Sequence, residues 1–470
     1  MVETTAADLD AEALEATARD LLGDVDSPGA SVAVVDGRER VFAAGFGNRQ
    51  LDPEQPATPE TLYGIGSSTK PVTATAVLTL VESGDLSLDD AVASHVPFFA
   101  DAPGDPITVR ELLSHTSGLP ADDSATLTLL DAIVGDEAED IGASLSGWDE
   151  IREYVDDGAD RRLLDTERCL YYNSGYVVLS RLVEAVADEP FADYVRRAVL
   201  EPLGMDRSTF DVGVLADEDA DAMTPHRAGE DGPKPATLPD DPLFVGPGGL
   251  QAPVTETAAF ASAWAERDLP IGADLAEAAT TPVGTFRELL DGSEVGYGYG
   301  WMTRPFGDDT LVGHGGGTGV SAGYVGFLAD RGLAVALGFN GQPDTSPERL
   351  ATELLATATG TDPLAVLPKR AIERKERRVT GEYEAYGDLQ TVTVTRGDRF
   401  LELEHASPMG TETEYLVAAS TAPDDHTFRV AERGGTRSTV EFFVDDDGVE
   451  LLVDRALFER VGDVDDDGDE

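Results

Sequence analysis

The order in which strand and helix signals fall along these 470 residues most constrains what the chain can fold into. Two short apolar segments, Ala30 to Val35 and Val41 to Phe46, flank Asp36-Gly37, a pair suited to a hairpin turn. Strand signals return only near Thr310 to Val312, Ser321 to Leu328 and Leu333 to Phe339. Ser346-Pro347-Glu348 then opens a closing helix. Between these sets, residues 85–240 read as mostly helical and loop-rich, with turn clusters at Asp101 to Pro106 and Gly229 to Pro239. Strands at both ends with helices between them fit one antiparallel sheet built from both ends, flanked by helices and carrying a helical insert: an α/β fold. Leu9, Leu14, Leu21 and Leu22 mark an amphipathic helix ahead of it, ended by Gly23.

This organisation predicts a first domain over 1–360. A charged linker follows at 361–378, where Lys369 to Arg378 lacks any strand pattern. Short β segments follow at Thr391 to Thr395, Phe400 to Glu404, Thr427 to Val430, Val440 to Val444 and Leu451 to Val453. With turns at Gly434-Gly435 and Asp447-Gly448, they predict a small all-β, barrel-like domain over 379–462. The acidic run 463–470 reads as a disordered tail.

The chain carries 91 acidic residues against 34 basic ones, a net charge of −57. Such a field repels nucleic acid and anionic membranes, so neither is an expected partner. Apolar runs such as Ala30 to Val35 and Leu333 to Leu337 recur throughout, which excludes a disordered polyanion. A folded protein with an acidic solvated surface tolerates its self-repulsion where salt screens it, the Debye length falling to about 3 Å at 1 M. The composition therefore predicts a high-salt cytoplasm. The single Cys169 permits no internal disulfide. Met1 to Asp20 is acidic rather than a basic and apolar leader, and no apolar run reaches transmembrane length, so the expected location is cytoplasmic.

Three motifs carry chemistry. Ser67-Ser68-Thr69-Lys70 stands at the head of an apolar helix that runs to Ser83 and ends at Gly84, with Pro71 tolerable near its start. Serine and lysine three residues apart share one helix face. A lysine held neutral by burial takes a serine proton, and the helix N-terminus offers N–H groups to developing negative charge. Lysine is scarce, occurring only at 70, 234, 369 and 375, and only Lys70 follows a serine by three. Second is Tyr171-Tyr172-Asn173: a tyrosine beside a lysine shares proton work, and an asparagine amide holds both lysine and a substrate carbonyl. Tyr172 and Tyr176 read as core. Third is Gly313-His314-Gly315-Gly316-Gly317, where glycines let a substrate lie against the backbone and a free N–H completes an oxyanion hole. A phosphate loop is disfavoured because no Lys-Ser/Thr follows the glycines. The six histidines show no metal-ligand spacing, and neither a metal nor a cofactor is expected. His115 reads as a packing histidine.

Taken together, Ser67/Lys70, Tyr171/Asn173 and His314/Gly316 resemble the ordered signature of the serine β-lactamases, penicillin-binding proteins and related esterases and peptidases. Pro106 to Pro120, Glu201 to Met205, Gly248 to Leu250 and Tyr297 to Trp301 resemble its class C-like branch, over roughly residues 28–356. The tail from about 379 resembles, more weakly, an appended lipocalin-like β domain. The resemblance implies Ser67 as the acylated nucleophile and Lys70 with Tyr171 as the proton-transfer pair. It implies Asn173 as the group orienting lysine and substrate, and the N–H groups of Ser67 and Gly317 as the oxyanion hole. Where β-lactamases and carboxypeptidases usually carry a lysine, this chain has His314, mostly neutral at pH 7. That variant resembles the family's esterases and D-amino-acid peptidases, so the expected substrate is a small ester or peptide. A β-lactamase or D,D-carboxypeptidase and a non-catalytic penicillin-binding scaffold are the alternatives. The resemblance also implies that lysine at 314 would draw selectivity toward carboxylate-bearing substrates. The sequence leaves the oligomeric state open.

Overall fold

A computed structural model describes residues 11–464 apart from 24, 122–147, 165–167, 218, 230–231, 387–388, 398–399, 408–409, 432–437, 446–447 and 454. The acidic run at 465–470 and the turn at Gly434-Gly435 fall outside the described residues. The chain divides into two compact units. One comprises Met1–Glu288 with Glu294–Thr361, and the other Asp362–Glu470 with Leu289–Ser293.

The first unit is built on a nine-stranded sheet. Its spatial order is Glu54–Pro56, Glu39–Leu51, Gly29–Asp36, Leu333–Phe339, Ala322–Leu328, Asp309–Gly317, Met302–Phe306, Glu294–Tyr297 and Gly284–Glu288. The expected union of the two chain ends occurs at its centre: Gly29–Asp36 runs antiparallel to Leu333–Phe339, with Ala33 opposite Ala336. Ala322–Leu328 and Leu333–Phe339 are buried at every position, so both faces of the sheet are covered. Val325, Phe327, Ala334 and Ala336 join one large core with the helices Val254–Ala265 and Lys70–Ser83. Val335 and Leu337, on the alternate positions, are equally buried. The closing helix Pro347–Thr359 is capped by the Ser346 side chain, which accepts the Arg349 N–H. Helix Ala11–Gly23 buries Leu14, Ala18 and Leu22.

The second unit is a closed barrel of eight antiparallel strands between Gly381 and Gly462. Pairing of Gly381–Ala385 with Ala456–Gly462 closes it. Its inward positions, among them Tyr383, Val394, Leu403, Phe428, Val440 and Leu451, form a core of their own. Three of its strands, Gly381–Ala385, Gly410–Ala418 and Ala456–Gly462, lie outside the sequence-read segments. In the first of them the outward positions are charged, so few apolar residues mark it: Glu382 and Glu384 alternate with buried Gly381, Tyr383 and Ala385. The segment read as a linker without strand pattern is helical, Pro363–Val366 and Pro368–Val379. Its charges hid a narrow buried stripe, since Ala371, Lys375 and Val379 are all buried. No helix among the described residues is long and apolar enough to cross a membrane.

Candidate active site

Ser67 sits on a short 3-10 turn, Gly66–Thr69, that feeds directly into helix Lys70–Ser83. Pro71 occupies the first helical turn, where its missing N–H is harmless, and Gly84 ends the helix at φ 80°. Gly66 holds a left-handed φ of 53°, which turns the chain so that Ser67 stays partly exposed while Ser68, Thr69 and Lys70 are buried. The turn is pinned from two sides: Ser68 Oγ donates to the His314 carbonyl (2.9 Å), and the Leu250 N–H donates to Thr69 Oγ1 (3.2 Å).

Lys70 is fully buried, and its Nζ lies 3.0 Å from Ser67 Oγ, 2.8 Å from Asn173 Oδ1 and 2.9 Å from the Pro247 carbonyl. None of these partners is a carboxylate. Burial therefore holds its pKa well below the usual ammonium range, despite the acidic chain around it. A neutral amine has two N–H donors and one lone pair. Asn173 and Pro247 offer only acceptors, so they take the two donors, and the lone pair is left for the Ser67 hydroxyl.

Asn173 opens helix Asn173–Ala187, just after Tyr171. The Tyr171 ring lies 4.8 Å from Lys70 Nζ at its centroid, and its hydroxyl interacts with the Ser67 side chain. Burial raises its pKa well above the ordinary phenol range, and the interaction with Ser67 opposes that rise.

The third motif closes the site through strand Asp309–Gly317. A Cβ placed on Gly316 would stand 2.7 Å from Ser67 N and closer still to the Ile65 carbonyl, and one on Gly66 would stand 2.8 Å from Gly317 N. Only glycine permits this approach, which sets the backbone of 316–317 against the Ser67 turn. Pairing to Met302–Phe306 ends at Gly313, whereas pairing to Ala322–Leu328 continues to Gly317. Residues 314–317 therefore lie beyond the register of one neighbour.

His314 departs from the sequence expectation. Its side chain is 1% exposed. Nδ1 lies 2.7 Å from the Gly315 carbonyl, an acceptor, so Nδ1 carries the proton. Nε2 therefore accepts from the Tyr297 hydroxyl at 3.0 Å. Burial, then the neighbouring Lys70, hold its pKa down to about 3. Both ring nitrogens are thus engaged within the fold, and the site presents no imidazolium to a ligand. Ser67, Lys70, Tyr171, Asn173, Gly316 and Gly317 meet at one place; His314 backs them from beneath.

The sequence reading did not single out the Pro247 carbonyl, the Tyr297 hydroxyl or the ring of His115 for this site. A carbonyl carries no sequence signal. Tyr297 stood only within a segment of family likeness. Among the described residues no cluster of His, Cys, Asp and Glu is able to hold a metal ion.

The profile of the β-lactamase family matches residues 14–359. The chain belongs to the β-lactamase family. The Pab87 octamerisation domain profile matches residues 363–459, the region read as lipocalin-like. Over nearly its whole length the chain is similar to an octameric penicillin-binding protein homologue from Pyrococcus abyssi. The two share 30% identity, 96% of this chain and 100% of that one are covered, and the TM-score is 0.81. A D-stereospecific amidohydrolase from Streptomyces sp. shares the fold at 21% identity and TM-score 0.61, over 75% of this chain and 100% of that one. Protein flp of Staphylococcus aureus (strain MW2) is 31% identical over 188 residues, 39% of this chain. The chain spans about a third, 35%, of the length of that curated relative.

Proposed function

We propose that this member of the family is a serine hydrolase that cleaves small ester or amide substrates, of the esterase or D-amino-acid peptidase type, through an acyl-enzyme on Ser67. The observation that carries the reading is the Lys70 amine, buried, lowered in pKa by that burial and 3.0 Å from Ser67 Oγ. In the proposed step the Ser67 proton passes to the Lys70 lone pair as Oγ bonds to the substrate carbonyl carbon. The oxyanion is received by the N–H groups of Ser67 and Gly317, which the glycine contacts at 66 and 316 bring together. Tyr171 relays the proton to the leaving group as the carbonyl–leaving-group bond breaks. Water then adds to the ester carbonyl and Ser67 regains its proton.

The substrate class follows from charge. The third-motif histidine is neutral and turned inward, so the fixed positive charge that would meet a carboxylate is missing from that position. The chain's net charge of −57 also disfavours anions. This supports uncharged or amino-bearing esters and amides over β-lactams and peptides ending in a free carboxylate. The likeness to a D-stereospecific amidohydrolase supports the amide arm. The match of the barrel to the Pab87 octamerisation domain, with the octameric relative, supports assembly into an oligomer. The acidic excess supports work at high salt.

The test is labelling with a fluorophosphonate probe in molar KCl, then peptide mapping. A single adduct on Ser67, absent in Ser67→Ala, is expected. Lys70→Ala and Tyr171→Phe are expected to slow turnover by about 10²–10⁴. No adduct on a folded sample would favour a non-catalytic scaffold, and an adduct elsewhere would overturn the assignment.

A further inference from the structure

His115 makes two hydrogen bonds to the segment that carries Tyr171 and Asn173. His115 follows helix Val109–Leu113, whose start is fixed by a capping box between Thr108 and Glu111. The His115 carbonyl accepts the Leu170 N–H at 2.8 Å, and its Nδ1 accepts the Tyr172 N–H at 3.1 Å. One residue therefore grips the backbone on both sides of Tyr171. Its ring also packs on the Tyr171 ring, with centroids 4.4 Å apart, and meets Tyr297 edge-on at 4.7 Å. Tyr176, one turn further along, donates its hydroxyl to the Leu113 carbonyl at 2.8 Å.

His115 is kept in this place against two opposing terms. It has a left-handed backbone, φ 57°, which a non-glycine residue adopts at an energetic cost. Because Nδ1 accepts, the neutral ring carries its proton on Nε2, and that buried donor finds no hydrogen-bond partner among the described residues. A packing residue needs neither feature. The surroundings over-determine the conformation because of what the residue holds.

We infer that His115 is the positioning residue for Tyr171: as a neutral imidazole it sets the height and tilt of the phenol relative to Ser67 and Lys70 without touching the substrate. The inference rests on the hydrolase reading above for its consequence in rate. Its structural half, the two-point grip on 170 and 172, stands apart from that reading.

Two variants separate the parts. His115→Phe keeps a ring against Tyr171 and removes the acceptor. His115→Asn places Oδ1 where Nδ1 stood, tolerates the left-handed backbone and removes the ring. His115→Phe is expected to lower kcat toward p-nitrophenyl esters by about 10²-fold with KM within about twofold, the size of effect that misplacing a reacting group by about 1 Å produces. His115→Asn is expected to recover part of that loss. In the Tyr171→Phe background the same substitutions are expected to add less than twofold, because the group they position is gone. Amide hydrogen exchange at Tyr172 is expected to speed at least tenfold in His115→Phe and to stay near wild type in His115→Asn. Full additivity with Tyr171→Phe, or unchanged exchange at Tyr172 in a folded His115→Phe protein, would overturn the inference. If the wild type itself neither labels at Ser67 nor turns over, the hydrolase reading fails, and the exchange result alone decides the grip.

Discussion

At the scale of single residues the site is governed by desolvation. Lys70 and His314 stand close together in a buried place where charging either is costly: the Lys70 pKa is held well below the usual ammonium range, and that of His314 down to about 3. For His314 the sign is definite. The unfolded chain takes up a proton near pH 6.5, while the native ring resists until about 3. Native stability is thus lost as pH falls through that window, at up to about 1.4 kcal/mol per unit. His314→Gln is expected to flatten the fall of the urea midpoint between pH 6 and 4 relative to wild type. Parallel curves for the two proteins would refute the assignment. The same burial changes the outlook for His314→Lys. It places an ammonium where both nitrogens of the native ring are internally bonded, so the expected result is a lowered Tm rather than new selectivity. Ser67, Lys70, Tyr171 and Asn173 were singled out because a scarce lysine and a scarce asparagine stood at motif spacing from a serine and a tyrosine. The orientation of His314 was not legible, because nothing local says which way a strand side chain's nitrogens are used.

At the scale of elements, two close approaches of backbone decide the geometry. Strand Asp309–Gly317 meets the 3-10 turn at Gly66–Thr69 with no room for a side chain at Gly316. Gly316→Ala is expected to leave most of the sheet intact and to slow Ser67 labelling at least tenfold, since the added methyl presses on backbone atoms that have no rotamer to yield. Wild-type labelling by that variant would show that the strand has slack. The helix from Lys70 to Ser83 and its αL glycine followed from sequence, because proline and glycine fix φ locally. The strands at Gly284–Glu288, Glu294–Tyr297 and Met302–Phe306 did not. They form the flank of the sheet, where several positions are exposed and short apolar patterns fade.

At the scale of the whole molecule, a surface at −57 is expected to make the Tm climb as KCl rises from millimolar to molar, by screening of like charges. A Tm unaffected by removing salt would count against a high-salt protein. Each unit has its own apolar core, so a chain ending at Thr361 is expected to fold and still label at Ser67. Light scattering on the two lengths is expected to show the full chain as an oligomer and the shortened one as a smaller species; equal masses would refute assembly through the barrel. The sequence by itself determined the strand–helix–strand order and an α/β unit followed by a β barrel, and it singled out the candidate site residues, because periodicity, φ restriction and motif spacing are local properties. Only the tertiary structure decided that Lys70 donates to Asn173 and Pro247, that His314 faces inward, and that His115 grips both sides of Tyr171. Those contacts join residues 55 to 177 positions apart or turn on burial, and burial and long-range approach exist only once the chain has packed.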